Sequence, residues 1–250
     1  MTTVIAVLAA LVAALGLMSL ARLLAKLRSA DPTIWEGAIR RFEKADRRSP
    51  PPKGVIVFTG SSSIRFWKSL KEDMAPLPVL NRGFGGSQIH QVTHYADRIV
   101  LPYKPGAVVF YAGENDMAGL FFSRKRTPVE IRDAYREFCQ KIHRALPEVP
   151  IYYISTKPPK RRLRLWPAMQ EANRLVRECC ASDKRLHYID IVPAMLDAAG
   201  NPRRDLFKWD GIHLNEKGYA IWKSVVRPIL AEAFPERADL ATGGLHPPAA

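Results

Sequence analysis

Five short apolar runs, each followed by a turn and then by a helical pattern, constrain the fold of this 250-residue chain more than any other feature. Such runs, rich in β-branched and aromatic side chains, are typical of strands covered on both faces. Their alternation with helices predicts one parallel sheet with helices on both sides. Right-handed crossovers favour a flavodoxin-like, doubly wound order. The runs occupy residues 55–58, 79–81, 107–111, 151–154 and 186–189.

The turns after the first three predicted strands carry residues that could form a site. In a doubly wound sheet the carboxyl ends of the strands share one edge, where such folds bind ligands. Ser62 follows the first strand, Gly86 the second and Asn115 the third, so we expect all three at that edge. Taken singly, each also has an ordinary explanation as a helix cap, a loop glycine or a turn asparagine.

A carboxylate and an imidazole, those of Asp210 and His213, lie three residues apart in a turn before the last predicted helix, which Asn215 can cap. A carboxylate beside a histidine holds one tautomer and stabilises the imidazolium that forms on proton uptake. The pair alone could also be a surface pair or half of a metal site. The sequence has no His-Glu-x-x-His motif and no cysteine cluster, so we predict no metal site.

These residues occur in the order serine, glycine, asparagine, aspartate–histidine, and in this the chain resembles the SGNH hydrolases of the GDSL esterase/lipase superfamily. It resembles in particular the group related to the catalytic subunit of platelet-activating-factor acetylhydrolase. The resemblance covers about residues 54–234. Its four motifs are Gly60-Ser61-Ser62, Asn81-Arg82-Gly83-Phe84-Gly85-Gly86, Gly113-Glu114-Asn115-Asp116 and Asp210-Gly211-Ile212-His213.

The resemblance implies the SGNH hydrolase fold and a role for each matched residue. Ser62 would be the nucleophile, His213 the general base and Asp210 the residue that orients it. The backbone N–H groups of Ser62 and Gly86 and the side-chain amide of Asn115 would form the oxyanion hole. The resemblance implies neither a metal nor an organic cofactor.

The expected function is that of a lipase-like serine esterase, hydrolysing small or short-chain, acetyl-type acyl esters through an acyl-enzyme. An acyltransferase that transfers an O-acetyl group to a sugar or lipid alcohol is an alternative on the same site. A non-catalytic binding module is a third reading, favoured only by Ser61, which stands where the family has aspartate. The substrate-binding candidates are Phe121, Phe122, Arg161 and Trp166.

The first 30 residues contain an uncharged apolar run, residues 4–21, followed by Arg22, Lys26 and Arg28. As a helix this run would span about 27 Å, close to the thickness of a hydrocarbon core. We predict a single-pass transmembrane anchor, with the cations placing the domain on the cytoplasmic side. A cleaved signal peptide, and with it an exported or periplasmic domain, is the alternative, and a buried core helix is a third.

The remaining chain divides at changes in composition. Residues 31–53 combine a helix, capped by Asp31, with a basic, proline-rich linker, and residues 54–235 form the hydrolase domain. The glycine-, proline- and alanine-rich residues 236–250 predict a disordered tail.

The charge balance limits the partners. The net charge of +14 favours anionic lipid headgroups or nucleic acid. The chain has neither zinc-finger spacing nor an RNA-binding aromatic signature, so we predict no nucleic acid. The basic loop at residues 157–164 is either a solvated charge run or a border of the site that meets anionic headgroups. The sequence leaves the oligomeric state open.

Overall fold

A five-stranded sheet with strand order β2-β1-β3-β4-β5 organises the computed structural model, which describes residues 2–235. Every neighbouring pair of strands is parallel, so the predicted flavodoxin-like, doubly wound fold class is confirmed. The tail at residues 236–250 lies outside the described residues. The strands are β1 (Ile56–Gly60), β2 (Val79–Gly83), β3 (Ala107–Tyr111), β4 (Ile151–Ile154) and β5 (Leu186–Ile189).

Nine α-helices in the described residues surround this sheet or precede it. Short 3-10 turns extend several of the connections, including Pro32–Trp35 before α2, Leu120–Phe122 after α6 and Leu163–Leu165 before α8. The helices are α1 (Thr2–Ser29), α2 (Glu36–Arg48), α3 (Ser62–Arg65), α4 (Leu70–Met74), α5 (Ile89–Ile99), α6 (Glu114–Ala118), α7 (Pro128–Ala145), α8 (Trp166–Ala181) and α9 (Glu216–Ala233).

Two apolar cores cover the two faces of the sheet. Successive strand residues point to opposite faces, and accordingly Val57 belongs to one core and Phe58 to the other. Helices α2, α5, α7 and α8 pack on the first face. Helices α4 and α9 pack on the second, where Trp67 and Trp222 are fully buried. With both faces covered, the strand ends are the part of the sheet left for ligands.

The helical pattern predicted after the first strand runs through Ile64, Trp67 and Leu70. As one helix this prediction is wrong, because the structure divides the segment into α3 and α4. The side-chain amide of Asn81, on β2, donates to the carbonyl of Ile64 at 2.7 Å. In a continuous helix that carbonyl would accept from Lys68 four residues on. An asparagine from the neighbouring strand thus takes the place of a helical hydrogen bond.

Helix α1 stands away from the two cores. The most apolar 18 residues within Val4–Ser29 have a mean hydropathy of 2.6, and none of them is buried. The interpretation of this segment as a buried core helix is therefore wrong. By length and composition it is one candidate membrane span. A membrane anchor and a signal sequence both have this length and composition.

The segment between α1 and α2 is fastened to the domain at the carboxyl edge of the sheet. The carbonyl of Ala30 accepts from His90 Nε2 at 3.0 Å and from Gln91 Nε2 at 2.8 Å. The hydroxyl of Tyr95 donates to the carbonyl of Pro32 at 3.0 Å. As predicted, Asp31 caps the turn that follows, accepting from the Thr33 N–H at 2.8 Å. The chain leaving α1 is thus joined to the first turns of α5.

Candidate active site

Ser62 is held at the carboxyl edge of the sheet by the turn from β1 into α3. Gly60 has φ +131°, and a Cβ on it would lie 1.9 Å from the carbonyl oxygen of Tyr111 on β3. Only glycine fits so close to the neighbouring strand. The N–H of Ser61 then donates to that same carbonyl at 2.9 Å, so the turn is fixed immediately before Ser62.

His213 and Asp210 reach Ser62 from a loop 151 residues further along the chain. The Nε2 of His213 lies 3.0 Å from Ser62 Oγ, and its Nδ1 lies 2.7 Å from Oδ2 of Asp210. The other carboxylate oxygen of Asp210 accepts the backbone N–H groups of Ile212 at 2.8 Å and of His213 at 2.9 Å. One carboxylate therefore fixes both the ring and the turn that carries it. The loop leads into α9, which Asn215 caps as predicted.

The charge on Asp210 is secured by its surroundings. Burial alone would raise its pKa, but the hydrogen bonds from the side chain and backbone of His213 and from Ile212 outweigh burial and lower the pKa to about 2. Phe66 presents its ring edge-on to the His213 ring, with centroids 4.8 Å apart. The imidazole thus lies between an ionised carboxylate, an aromatic ring and a hydroxyl.

The structure distinguishes the three consecutive serines by their partners. Ser62 Oγ meets His213, whereas Ser63 Oγ accepts from the buried Nζ of Lys157 at 3.2 Å. Ser61 is 3% exposed and its side chain makes no capping hydrogen bond. Of the three hydroxyls, only that of Ser62 is placed beside an imidazole.

Gly86 and Asn115 lie together across the same cavity. A Cβ on Gly86 would lie 3.7 Å from Nδ2 of Asn115, and 2.4 Å from a methyl carbon of Leu120. The Nδ2 atom of Asn115 donates one N–H to the carbonyl of Ser87 at 3.1 Å. A primary amide carries two N–H groups, so the second is left for a ligand. The glycine keeps the approach to that amide open.

A cavity of about 340 Å³ joins these groups. Of the four predicted substrate-binding residues, Phe121 lines it, while Phe122, Arg161 and Trp166 lie outside the lining. Phe122 projects outward and is 89% exposed, whereas Trp166 packs beside Asn173 and Tyr188 in a separate cleft. The lining consists of Trp35, Ser62, Arg65, Phe66, Gly85, Gly86, Asn115, Leu120, Phe121, Arg162, Ile212 and His213.

Trp35 and Arg162 are among the lining residues that were not predicted from the sequence. Trp35 comes from the segment after α1, and its indole N–H donates to Gln91 Oε1 at 2.9 Å. Arg162 belongs to the basic loop predicted to border the site, but it was Arg161 that the sequence singled out. Arg161 instead donates its backbone N–H to the carbonyl of Gly211 at 3.2 Å, and its side chain is exposed. Where two basic residues are adjacent, the composition does not indicate which side chain faces the cavity.

A buried ion network lies directly behind the cavity. Lys157 is 1% exposed, and its Nζ donates to Glu114 Oε2 at 2.5 Å and to the Tyr111 hydroxyl at 3.1 Å. Arg162 approaches the other carboxylate oxygen of Glu114 to 3.5 Å. Burial would raise the pKa of Glu114, but the cations of Lys157 and Arg162 outweigh it and hold that pKa below its usual range. The network touches Ser63 and includes Glu114, the neighbours of Ser62 and Asn115.

The arrangement can perform nucleophilic chemistry on a carbonyl. A hydroxyl, an imidazole and a carboxylate in hydrogen-bonded series can activate the hydroxyl, and donors across the cavity can meet a developing oxyanion. Within residues 4–235, no group of three or more His, Cys, Asp or Glu side chains is placed to hold a metal ion.

Comparisons with known proteins agree with this fold and chemistry. Platelet-activating factor acetylhydrolase IB subunit alpha1 of Pongo abelii is 25% identical over 195 residues, covering 74% of this chain and 78% of that protein. The Homo sapiens protein of the same name is 24% identical over 194 residues, with the same two shares.

Solved structures show the same fold. A GDSL-like lipase from Bacteroides thetaiotaomicron superimposes with a TM-score of 0.65 at 17% identity, covering 78% of this chain and 98% of that one. For the lipase/acylhydrolase from Enterococcus faecalis the TM-score is 0.60 at 20% identity, with coverages of 72% and 96%.

A family model settles the assignment. The model of the GDSL-like Lipase/Acylhydrolase family matches residues 53–221, which is more than half of the chain and contains all four motifs. The chain therefore belongs to the GDSL-like lipase/acylhydrolase family and is an ester-hydrolysing serine hydrolase.

Proposed function

We propose that this protein hydrolyses small or short-chain acyl esters, acetyl esters among them, through an acyl-enzyme formed on Ser62. The observation that carries the proposal is the hydrogen-bonded series from Ser62 Oγ through both ring nitrogens of His213 to Asp210. The acetylhydrolase name of the curated relatives supports the acetyl group. The cavity of about 340 Å³ suits a small acyl group.

The reaction follows from the positions of the side chains. His213 Nε2 takes the proton of Ser62 Oγ as that oxygen attacks the ester carbonyl, and Asp210 stabilises the imidazolium. The imidazolium then returns the proton to the leaving alcohol. Water, activated by the same ring, attacks the acyl-enzyme and releases the acid.

The oxyanion of each tetrahedral intermediate needs donors on the far side of the carbonyl. The free N–H of Asn115 Nδ2 and the backbone N–H groups of Gly86 and Ser62 are the donors we assign. Loss of one such donor typically lowers turnover by about a hundred- to a thousand-fold. The bond from Asn115 to the Ser87 carbonyl pre-orients the amide, so little reorganisation is needed when charge develops.

Replacement of Ser62 tests this proposal. The full-length protein in detergent is assayed with p-nitrophenyl acetate and with a fluorophosphonate probe. Ser62→Ala should abolish covalent labelling and lower kcat about 10⁴-fold or more, because the nucleophile is lost while the fold is kept.

Ser61→Ala is the matched control. It removes a neighbouring hydroxyl that makes no capping hydrogen bond, so activity should change little. Equal loss in both variants, or labelling that survives in Ser62→Ala, would contradict the assignment of the nucleophile. Acyl transfer to an added alcohol in preference to water would favour the acyltransferase alternative. Absence of labelling in the wild type would favour a binding module.

We further propose that α1 is a single-pass membrane anchor. Its length, the mean hydropathy of 2.6 over its most apolar 18 residues and the exposure of that stretch support an anchor. The cations Arg22, Lys26 and Arg28 at its C-terminal end support a cytoplasmic domain. Retention of residues 1–21 in the mature, membrane-bound protein, measured by mass spectrometry, tests the anchor against a cleaved signal peptide.

A further inference from the structure

The exposed apolar side chains of the domain are concentrated at one end of the molecule. Outside α1, the large apolar residues that stay exposed in residues 30–235 all follow the carboxyl ends of β3, β4 or β5. Phe121 lines the active-site cavity, Leu163 follows the lining residue Arg162, and Trp209 precedes Asp210. We call this set the catalytic rim: Phe121, Phe122, Val129, Leu163 and Trp209.

Two residues of the catalytic rim are exposed at a conformational cost. Phe121 and Phe122 have φ values of +57° and +62°, in the left-handed region that side chains other than glycine rarely adopt. Phe122 is nonetheless 89% exposed. Burying a phenylalanine side chain stabilises by roughly 1.5–3 kcal/mol, and within the described residues Phe122 forgoes nearly all of that. A partner outside the chain would recover it.

Helix α1 ends beside this same loop. Leu27 and Ala30 share a narrow cleft with Leu120 and Phe121. Leu27 lies five residues beyond Arg22, the first charge after the apolar run, so it is about 7.5 Å further along the helix axis. The headgroup layer of a bilayer is about 5–8 Å thick on each side. A bilayer crossed by α1 therefore has its headgroup layer at the level of the Phe121–Phe122 loop.

The cations of the rim match an anionic surface. The side chains of Lys125, Arg161, Arg164 and Lys208 are exposed, and each lies within three residues of an apolar residue of the rim in the sequence. None of the four forms an ion pair with the described part of the chain. Each basic residue close to a negatively charged leaflet contributes about 1 kcal/mol of attraction. Lys208 Nζ also lies 5.2 Å from the centroid of the Phe66 ring. Aromatic side chains close to exposed cations are the pattern of a surface that rests in a lipid interface.

We infer that the catalytic rim rests on the anionic surface of the membrane crossed by α1, so that the active-site cavity opens toward lipid. Phe121 belongs to both surfaces, because it lines the cavity and forms part of the rim. The short acyl group of an ester held in the bilayer would pass it to reach Ser62. The substrate class that follows, acyl esters held in the membrane, rests on the proposed esterase function, whereas the orientation of the rim does not.

Spin-label accessibility in the full-length protein tests the orientation without any assay of activity. Phe122→Cys carries a nitroxide in a Cys179→Ser background, since Cys139 and Cys180 are buried. The protein is reconstituted into vesicles containing phosphatidylglycerol. The control label is at Glu148→Cys, an exposed position in the turn between α7 and β4 at the opposite edge of the sheet.

The label at position 122 should show a several-fold higher ratio of oxygen to nickel-chelate collisions than the label at 148. That ratio should fall when phosphatidylcholine replaces the anionic lipid. Equal ratios at 122 and 148 would overturn the inference, and so would contact of both labels with lipid.

A second measurement addresses the substrate. Phe122→Ser should lower the hydrolysis of hexadecyl acetate held in the vesicles several-fold and leave that of p-nitrophenyl acetate unchanged, because Phe122 lies outside the cavity lining. Hydrolysis of p-nitrophenyl acetate but not of hexadecyl acetate by the wild type would overturn the membrane substrate. Equal loss on both esters would overturn the membrane substrate. If the wild type hydrolyses neither ester, the proposed function fails, while the spin labels still decide the orientation.

Discussion

At the scale of single residues, the ion network behind the cavity is the most costly feature of the site. Lys157 and Glu114 are both almost completely buried, and a buried charge is tolerated only with a close partner. Such a pair is weak evidence for stability, but it fixes positions. Here Lys157 binds the hydroxyl next to the proposed nucleophile, and Glu114 precedes Asn115. The pair thus connects the two sides of the cavity from behind.

Replacing Lys157 by methionine should destabilise the protein by roughly 3–5 kcal/mol, because Glu114 is left as a buried charge with Arg162 as a more distant partner. Urea unfolding measures the loss. The double variant Lys157→Met/Glu114→Gln should recover much of it, since the unpaired charge is removed as well. If the loss of stability in the double variant equals the sum of the losses in Lys157→Met and Glu114→Gln alone, the two residues are not coupled.

Sequence patterns were informative for the residues that share a motif, and weak for those that do not. Ser62, Gly86, Asn115, Asp210 and His213 were predicted to meet, and the structure brings them to one cavity. Their catalytic roles stay a prediction for the variants above to test. The network was missed because residues 157–164 are a basic run whose ordinary location is the surface. Nothing in composition indicates that Lys157 faces inward.

At the scale of elements, Asp116 joins α6 to the start of α5. Its two carboxylate oxygens lie 3.1 and 3.3 Å from the backbone nitrogen of Ile89, the first residue of α5. The side chain is fully buried, and burial raises its pKa from 3.8 to about 7. The folded protein therefore binds this proton more tightly than the unfolded chain does.

A group whose pKa is raised by folding contributes stability that is complete below its unfolded pKa and is lost as the pH rises through its folded pKa. The free energy of unfolding should accordingly fall between pH 4 and pH 8. At about 1.4 kcal/mol per pH unit, this contribution is on the order of 4 kcal/mol.

The variant Asp116→Asn isolates the effect, because its Oδ1 can still accept from Ile89 and it carries no proton to lose. The variant should gain stability over the wild type as the pH is raised, measured by urea unfolding at pH 4.5, 6 and 8. Parallel pH profiles of the two proteins would rule out Asp116 as the titrating group.

The strands and helices were predicted well where a single hydrophobic pattern dominates the sequence. Continuous apolar runs predicted the five strands, and the caps at Asp31 and Asn215 were confirmed. The division between α3 and α4 could not be predicted, because it depends on Asn81 from a strand with which α3 comes into contact only in the fold. The sequence around α3 and α4 does not indicate the hydrogen bond from Asn81 to Ile64.

At the scale of the whole molecule, the segment after α1 completes the active site. Trp35 forms part of the cavity wall, and the carbonyl groups of Ala30 and Pro32 accept hydrogen bonds from α5. Gly85 leaves room for the Trp35 ring, because a Cβ at position 85 would lie 2.0 Å from that ring. The segment between α1 and α2 is therefore more than a linker, because it forms one wall of the cavity.

Two truncated proteins separate the anchor from this wall. A chain beginning at residue 30 keeps Ala30 and Trp35, and should hydrolyse p-nitrophenyl acetate with a kcat/KM close to that of the full-length protein. A chain beginning at residue 36 leaves the buried Nε2 of Gln91 without its acceptor, at about 1–3 kcal/mol, whereas the Tyr95 hydroxyl keeps Glu36 as an acceptor at 3.3 Å.

The shorter chain should therefore unfold at a lower temperature, by about 2–4 °C for each kcal/mol lost, and its KM should rise because the cavity is open on one side. Differential scanning calorimetry and steady-state kinetics measure the two effects. Equal behaviour of the two truncated proteins would show that the segment is dispensable.

The hydrogen bonds from His90 and Gln91 to the carbonyl of Ala30 also restrict the movement of the catalytic domain relative to α1. Only five residues separate the end of α1 from Trp35 in the cavity wall. With α1 as an anchor, the enzyme would have no tether with which to sweep the surrounding solution. If its ester is held in the same membrane, as we infer, it would meet that substrate by lateral diffusion in two dimensions, and its rate would follow the surface density of the ester rather than its bulk concentration.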